Sequence, residues 1–279
     1  MTDALAHRGP DGRGEYTDGE VSLGHRRLAI LDLSRGAQPF ASNDGQLVVV
    51  FNGEIYNHPQ LRRELEARGR TYRTHSDTET ILHAYAVWGD ECVARLDGMF
   101  AFVLYDRARR RLFGARDRFG KKPLYFTTRS FDDDGEPVEF AFASEIKSLR
   151  EHPAIGSDLR LSEPAVVSYL LHDYVLGQPS IFEGIARLPA AFAFSYDVRD
   201  SEFRAWRYWD LSLENHATCT RQEAEEHVES LFRDAVERRL MSDVPLGVLL
   251  SGGVDSSAVL AFLADMRPAA ELDTFSIGF

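Results

Sequence analysis

Apolar positions in the first half of the chain gather into short runs separated by Gly, Asn and Asp. Residues 47–51, 99–105, 111–115 and 123–126 are such runs, and their length and boundaries predict strands. A short basic turn between Asp106 and Arg111 predicts a hairpin. Two stretches change to a helical period. Residues 59–68 begin with Pro59 and are followed by Gly69, while residues 77–88 place Ile81, Leu82, Tyr85 and Trp88 on one face. Antiparallel strands interrupted by two helices predict an α+β layered domain over residues 1–197.

The pattern then loosens. A helix is predicted around residues 164–171, followed by the last elements of the domain and a linker over 198–219. Thr220 and Glu223 match a capping box, so a helix should start there and run to about residue 240. A buried strand at 246–250, a turn, a helix from Ala258 and a strand at 274–278 complete the pattern. That order predicts that residues 220–279 open an α/β domain with a parallel sheet. A parallel sheet of two strands cannot bury both faces, so the polar start and the stop at Phe279 are read as the ends of a fragment.

Ser251-Gly252-Gly253-Val254-Asp255-Ser256-Ser257 lies at the predicted strand-to-helix turn. Two glycines there expose backbone N–H groups at the positive end of a helix dipole, which is a phosphate-binding arrangement. The Walker pattern is absent from the chain. The run resembles the pyrophosphate loop of ATP pyrophosphatases, which cleave ATP between its α and β phosphates; the bland alternative is a serine-rich turn.

Composition narrows the classes. A net charge of −12 disfavours nucleic acid and anionic membrane surfaces as partners, and no apolar run is long enough to span a bilayer. The start lacks the basic region and apolar core of a signal peptide. Cys92 and Cys219 are far apart and have no partners at metal-binding spacing, which implies neither disulfide nor zinc and makes the cytoplasm the expected compartment.

Polar groups in the first domain suggest a second site. Asn52 and Gly53 end a buried strand and could donate to an oxyanion. Arg27 could hold a carboxylate in bidentate fashion, and Asp77 could pair with an ammonium. Singly, each also reads as a turn, a solvated cation or a helix cap. Together with His7-Arg8-Gly9-Pro10-Asp11-Gly12, Gly98-Met99-Phe100-Ala101, Arg116-Asp117-Arg118-Phe119-Gly120-Lys121-Lys122 and Phe142-Ala143-Ser144-Glu145, they occur in the order found in glutamine-hydrolysing asparagine synthetases. The resemblance covers essentially the whole chain.

That resemblance implies an N-terminal-nucleophile glutaminase of αββα architecture joined to an ATP pyrophosphatase domain. The first makes ammonia from glutamine; the second activates the side chain of aspartate as an adenylate. Carried over by position, glutamine binding falls on Arg27, Leu28, Ala29, Ile30, Leu31, Asn52, Gly53, Glu54 and Asp77. ATP binding falls on Leu250, Ser251, Gly252, Gly253, Val254, Asp255, Ser256, Ser257 and Ile277, the last on the second strand. Asp255 is expected to meet Mg²⁺ through the phosphates, and a homodimer is left open. The family's nucleophile is a cysteine at the mature N-terminus, which this chain does not contain. Only four residues separate Thr2 from His7, too few for the nucleophile strand and the following helix, so Thr2 is not a substitute. The first strand is therefore expected to be missing and the chain as given to be inactive as a glutaminase. Two other readings stay open: an amidotransferase acting on another carboxylate, and a non-catalytic glutamine- or ATP-binding paralogue.

Overall fold

The computed structural model describes residues 1–128, 140–157, 159–214, 218–267 and 272–278. It divides into two compact units: residues 1–29 with 34–210, and residues 30–33 with 211–279.

The first unit begins with a 3₁₀ helix, Thr2–Arg8, and continues through β1 (Gly12–Thr17), β2 (Ser22–Arg27), β3 (Phe40–Ala41) and β4 (Leu47–Ile55). Helices α1 (His58–Ala67), α2 (Asp77–Trp88) and α3 (Cys92–Arg95) lead to β5 (Gly98–Asp106), β6 (Arg111–Arg116), β7 (Tyr125–Thr127) and β8 (Ala141–Ala143). Then come α4 (Ile146–Arg150), α5 (Pro153–Gly156), α6 (Glu163–His172), β9 (Ala186–Arg187), β10 (Phe192–Asp197) and β11 (Glu202–Arg207).

The main sheet has the order β11-β10-β6-β5-β4-β3, with every pairing antiparallel. Its central strands read as continuous apolar runs because both faces are covered. Val49, Phe51 and Ile55 of β4, with Phe100, Phe102 and Leu104 of β5, pack on one side with Leu61, Leu65, Ile81 and Leu82 of α1 and α2. The alternate residues Val48, Val50, Ala101, Val103 and Tyr105 pack on the other side with Val21 and Leu23 from the β1–β2 hairpin. The period of two along each strand sorts these side chains between the faces. Beyond that second face, the sheet β8-β7-β9 packs Ala141 and Ala143 on Leu149 and Ile155 of α4 and α5. The layers are thus helix, sheet, sheet, helix, the αββα order that the resemblance implies.

Several elements differ from the sequence expectation. The β1–β2 hairpin escapes a hydrophobicity reading because its strands are mostly Gly, Arg, Glu, Ser and His. β7 starts at Tyr125, after Pro123. The expected linker contains β11, which pairs with β10 along the edge of the main sheet; Phe203 and Trp206 pack on opposite faces of that sheet. Residues 215–217 of the expected linker lie outside the described residues, as does Phe279.

The second unit contains α7 (Arg221–Arg238), β12 (Gly247–Leu249), α8 (Val254–Met266) and β13 (Asp273–Phe275). Thr220 and Glu223 form the reciprocal capping box. β12 and β13 pair in parallel. Val236 and Leu263 are its buried apolar side chains among the described residues, and Phe232 meets Phe262 at 5.0 Å between ring centroids.

Candidate functional site

The end of β4 is built by two alternations. The Gln46 carbonyl accepts from Arg107 N–H and the Tyr56 N–H donates to the Asp97 carbonyl, so even-numbered residues from 46 to 56 turn their backbone groups toward β5. Odd-numbered residues turn the other way. The Leu47 carbonyl accepts from Ser42, the Phe51 N–H donates to Gln38 Oε1 at 2.7 Å, and the Ile55 N–H donates to Asp77 Oδ2 at 2.9 Å. Gly53 lies between these last two, so its N–H turns into the interval between Gln38 and Asp77. A β-carbon at Gly53 would sit 2.0 Å from the Met99 carbonyl oxygen and 2.7 Å from Phe100 Cα, which reserves the position for glycine.

The side chains alternate too. Asn52 and Glu54 share a face with Val48 and Val50, the face that carries the β1–β2 hairpin. Asn52 Nδ2 is buried and has no hydrogen-bond partner among the described residues. A buried donor without an acceptor needs a partner, and a ligand oxygen would serve. Arg26 Nε, Trp88 Nε1 and Arg118 Nε are likewise buried without one among the described residues, so Asn52 is distinguished by its place beside the Gly53 N–H. Burial raises the Glu54 carboxyl above its ordinary range, and the Lys122 ammonium partly offsets this.

Arg27 arrives beside this strand end through its neighbours. His25, two residues earlier on β2, donates from Nε2 to the Phe51 carbonyl at 3.0 Å. The segment after it is bracketed by Asp11, whose N–H donates to the Arg27 carbonyl at 2.9 Å and whose carboxylate accepts from the Ala29 N–H at 2.9 Å. Gly9 lets the two segments touch, since a β-carbon there would lie 2.3 Å from the Arg26 carbonyl. Leu28 is exposed. Thr2 packs against Gly24 on the same strand, where a β-carbon would lie 2.2 Å from Thr2 Oγ1.

Asp77 stands at the first position of α2, behind the Ser76 cap. Burial pushes its carboxyl up to about 7, against the hydrogen bond from Ile55. The loop leading to it is folded over Glu79, which accepts from the backbone of Arg73 and Thr74 and from the Thr74 hydroxyl. Burial alone would raise Glu79, but the hydrogen bonds from His83, Thr74 and Arg73 outweigh it and hold the group at about 2. Neither cysteine belongs to this constellation. Cys92 is buried in α3, with its thiol pushed up by burial, and Cys219 is exposed in the second unit.

In the second unit, the Leu250 N–H donates to the Phe275 carbonyl and extends the β12–β13 ladder by one bond before the chain turns. Gly252 has φ +79, a left-handed conformation suited to glycine. Gly253 is the N-cap of α8 and makes no side-chain capping bond, so Val254 to Ser257 form the helix's first turn and not a loop. Ser251 Oγ lies 3.1 Å from Ser256 Oγ. This gives exposed N–H groups and hydroxyls at a helix start, which fits an anionic phosphate. Asp255 is the single carboxylate of that turn. Among the described residues no three carboxylate, imidazole or thiol groups gather as for a metal ion. A magnesium ion bridging phosphates takes only one or two protein carboxylates, so Asp255 fits that supporting part.

Residues 1–209 match the glutamine amidotransferase domain family. The chain belongs to that family. Residues 227–279 match the asparagine synthase family. A curated relative, asparagine synthetase [glutamine-hydrolyzing] 3 of Bacillus subtilis (strain 168), is 39% identical over 284 residues, covering 100% of this chain and 44% of that protein. Asparagine synthetase [glutamine-hydrolyzing] 1 of the same organism is 36% identical over 279 residues, covering 100% and 42%. Amidase chyE of Penicillium rubens is 36% identical over 276 residues, covering 97% and 39%. The chain thus spans less than half the length of these relatives.

In this glutamine amidotransferase chain, the structure draws Arg27, Asn52, Gly53, Glu54 and Asp77 to one end of the first unit. Ile30 and Leu31 group with the second unit, where the Asp243 N–H donates to the Ile30 carbonyl at 3.0 Å and Asp243 Oδ2 accepts from Asp32 N–H at 2.7 Å. Ile277 lies two residues past β13 and not on it. Ser276 Oγ donates to the Leu250 carbonyl at 2.7 Å, replacing the next ladder bond and ending the strand. Sequence reasoning gave no role to Gln38, nor to His25 or Asp11, although His25 stands in the motif Gly24-His25-Arg26-Arg27-Leu28 of the resemblance. Asp11 stands in a quoted motif, but its bracket joins residues 16 and 18 positions apart; the Phe51 bonds of Gln38 and His25 reach across 13 and 26 positions.

Proposed function

We propose that this chain carries the glutamine-binding and oxyanion-stabilising groups, without the nucleophile, and the nucleotide loop of an ATP-dependent, cytoplasmic asparagine synthetase. The observation that carries this reading is the buried, partnerless Asn52 Nδ2 beside the Gly53 N–H, flanked by one cation and one carboxylate. Arg27 binds the α-carboxylate of glutamine bidentately, and Asp77 binds its α-ammonium. Asn52 and Gly53 then donate to the oxygen that gains charge as the side-chain amide is attacked. In the whole protein the family's N-terminal cysteine would attack that amide carbon and expel ammonia, and water would cleave the resulting thioester to give glutamate. At the second unit, the backbone N–H groups and hydroxyls of residues 251–257 hold the phosphates of ATP. Asp255 would help to hold a magnesium ion, which would supply neutralisation of the phosphate charge. Aspartate displaces pyrophosphate to form β-aspartyl-AMP, and ammonia displaces AMP to give asparagine. Cys92 and Cys219 supply neither the attacking group nor its base.

Calorimetric titration of the chain with L-glutamine tests the first site. Arg27→Ala is expected to weaken binding by roughly 30-fold or more, because it leaves the ligand carboxylate unpaired. Unchanged affinity in Arg27→Ala would remove the assignment.

A related amidotransferase acting on a different carboxylate is the second reading, and the similarity to amidase chyE favours keeping it. Both readings share the glutamine site and differ in the acceptor. Product analysis of the whole protein with aspartate as the sole acceptor separates them.

A further inference from the structure

Strand β3 ends its pairing with β4 at Phe40, opposite Val49. Continuing that register places residue 38 opposite Phe51. The backbone of residue 38 does not complete the ladder; the Gln38 side-chain amide does so instead. Its Oε1 accepts from the Phe51 N–H at 2.7 Å and its Nε2 donates to the Phe51 carbonyl at 3.1 Å. A side-chain amide offers one acceptor and two donors, so it can replace a peptide in a ladder. The same Phe51 carbonyl accepts a second bond, from His25 Nε2 at 3.0 Å. Since a carbonyl only accepts, the proton of the neutral imidazole sits on Nε2, leaving buried Nδ1 without a partner among the described residues. Burial lowers the His25 pKa to about 4, so the ring stays neutral.

Two further features fix this arrangement. Gly14 lies opposite His25 in the β1–β2 ladder. A β-carbon on Gly14 would come within 2.0 Å of the Gln38 carbonyl oxygen, so the hairpin touches the Gln38 backbone directly. The Gln38 amide also lies 3.4 Å from Thr78 Oγ1, beside Asp77 on α2. Gln38 therefore stands between the hairpin that carries Arg27, the strand that carries Asn52 and Gly53, and the helix that carries Asp77.

We propose that Gln38 and His25 are positioning residues of the glutamine site: they close the strand ladder at the Phe51 peptide and so keep the Gly53 N–H and Asn52 Nδ2 turned toward the ligand. If the ladder ran on by backbone pairing, the next strand residue would face Gly53 and take up its N–H. Ending it on a side chain leaves that N–H for the ligand. This inference rests on the proposed glutamine site, and its test separates the two.

The test is heteronuclear NMR of the chain, of Gln38→Ala and of Gln38→Glu, with and without L-glutamine. Without ligand, Gln38→Ala should speed hydrogen exchange at the Phe51 amide by roughly tenfold or more and move the Gly53 resonance, with Val49 unchanged. Gln38→Glu keeps an acceptor for the Phe51 N–H but loses the donor to its carbonyl. It should hold Phe51 exchange within about threefold of wild type and still move Gly53. With L-glutamine, the Gly53 resonance should shift in the wild type. In Gln38→Ala that response should fall by roughly half or more while Kd changes less than about threefold, because Arg27 and Asp77 are intact. A merely structural role would weaken affinity and response together.

Unchanged Phe51 exchange and Gly53 resonance in ligand-free Gln38→Ala would overturn the inference, as would a full Gly53 response to glutamine in that variant. If Gln38→Ala does not fold, an unmoved Gly53 in Gln38→Glu overturns it alone. A wild-type Gly53 that ignores glutamine defeats the glutamine reading, and the ligand-free comparison then decides the ladder argument by itself.

Discussion

The donor pair of the first unit and the phosphate loop of the second both use backbone N–H groups, yet they are held in opposite ways. Phe51, Gly53 and Ile55 are fixed by His25 and Gln38, by Met99 and by Asp77 respectively, none of them closer than 13 residues in sequence to its partner on β4. The turn at Ser251 is held by bonds among Ser251, Gly253 and Ser256, no more than five positions apart, and Gly252 has open space around it. The first site is preorganised by a core packed on both faces of a sheet. The second is a local conformation at the start of a helix whose unit buries two apolar side chains among the described residues. Substitutions that shift packing should therefore damage the first site at a distance, whereas the second should respond mainly to changes within the turn.

Gly53→Ala should break this contrast most forcefully if the contrast is mistaken. The new methyl meets backbone atoms of β5, which cannot rotate away as a side chain would, in a backbone conformation that already favours glycine. The expected cost is about 2 kcal/mol or more, with loss of glutamine binding. Thermal unfolding and glutamine titration read both effects. A variant with wild-type stability would mean that the strand end is loose and the site is not preorganised.

Asp77 sharpens the comparison through pH. Its folded pKa is raised to about 7 from an ordinary 3.8, so the folded chain binds that proton more tightly than the unfolded chain does. The associated stability is fully present below about pH 4 and is lost as pH rises through 7. Ligand affinity runs the other way, because a protonated Asp77 offers no charge to an ammonium. Glutamine affinity should rise with pH up to about 7 and then level off. Asp77→Asn keeps an acceptor for the Ile55 N–H; it should flatten both profiles, raise the melting temperature at pH 8 and weaken glutamine binding by roughly 30-fold. Parallel movement of stability and affinity with pH would contradict the assignment of Asp77 to the ammonium.

The same contrast explains what could be read from the chain alone. The β5 run, the α2 boundaries and the Thr220 capping box are local or periodic signals, and each matches the structure closely, whereas β4 runs four residues beyond its expected end at Phe51 and takes in Asn52, Gly53 and Glu54. The hairpin β1–β2 carries no such signal, since Gly-Arg-Gly-Glu-Tyr-Thr buries little, and its place comes from packing against one face of the main sheet. Asn52, Gly53 and Asp77 could be singled out by residue type at a strand end and a helix start. Gln38 and His25 could not. Their function lies in a register, residue 38 against residue 51, that exists only once β3 and β4 have paired. Ile277 shows the reverse error: an apolar run extended the strand on paper, while the Ser276 hydroxyl ended it.

Gly252→Ala should have the smallest effect. Gly252 has φ +79, so an alanine there carries the strain of a left-handed residue, about 1–2 kcal/mol. Nothing lies within 4 Å of the added methyl, so no packing term joins it. The strain can relax by rotating the turn, which misaims the N–H groups ahead of α8 while leaving the helix and the whole first unit as they were. Pyrophosphate titration of the chain should show weaker binding by roughly fivefold to tenfold, with the glutamine isotherm superimposable on that of the wild type. If Gly252→Ala instead lowered glutamine affinity as strongly as Gly53→Ala, the two sites would share one structural support, and the division between a site held by distant contacts and one held by its own turn would fail.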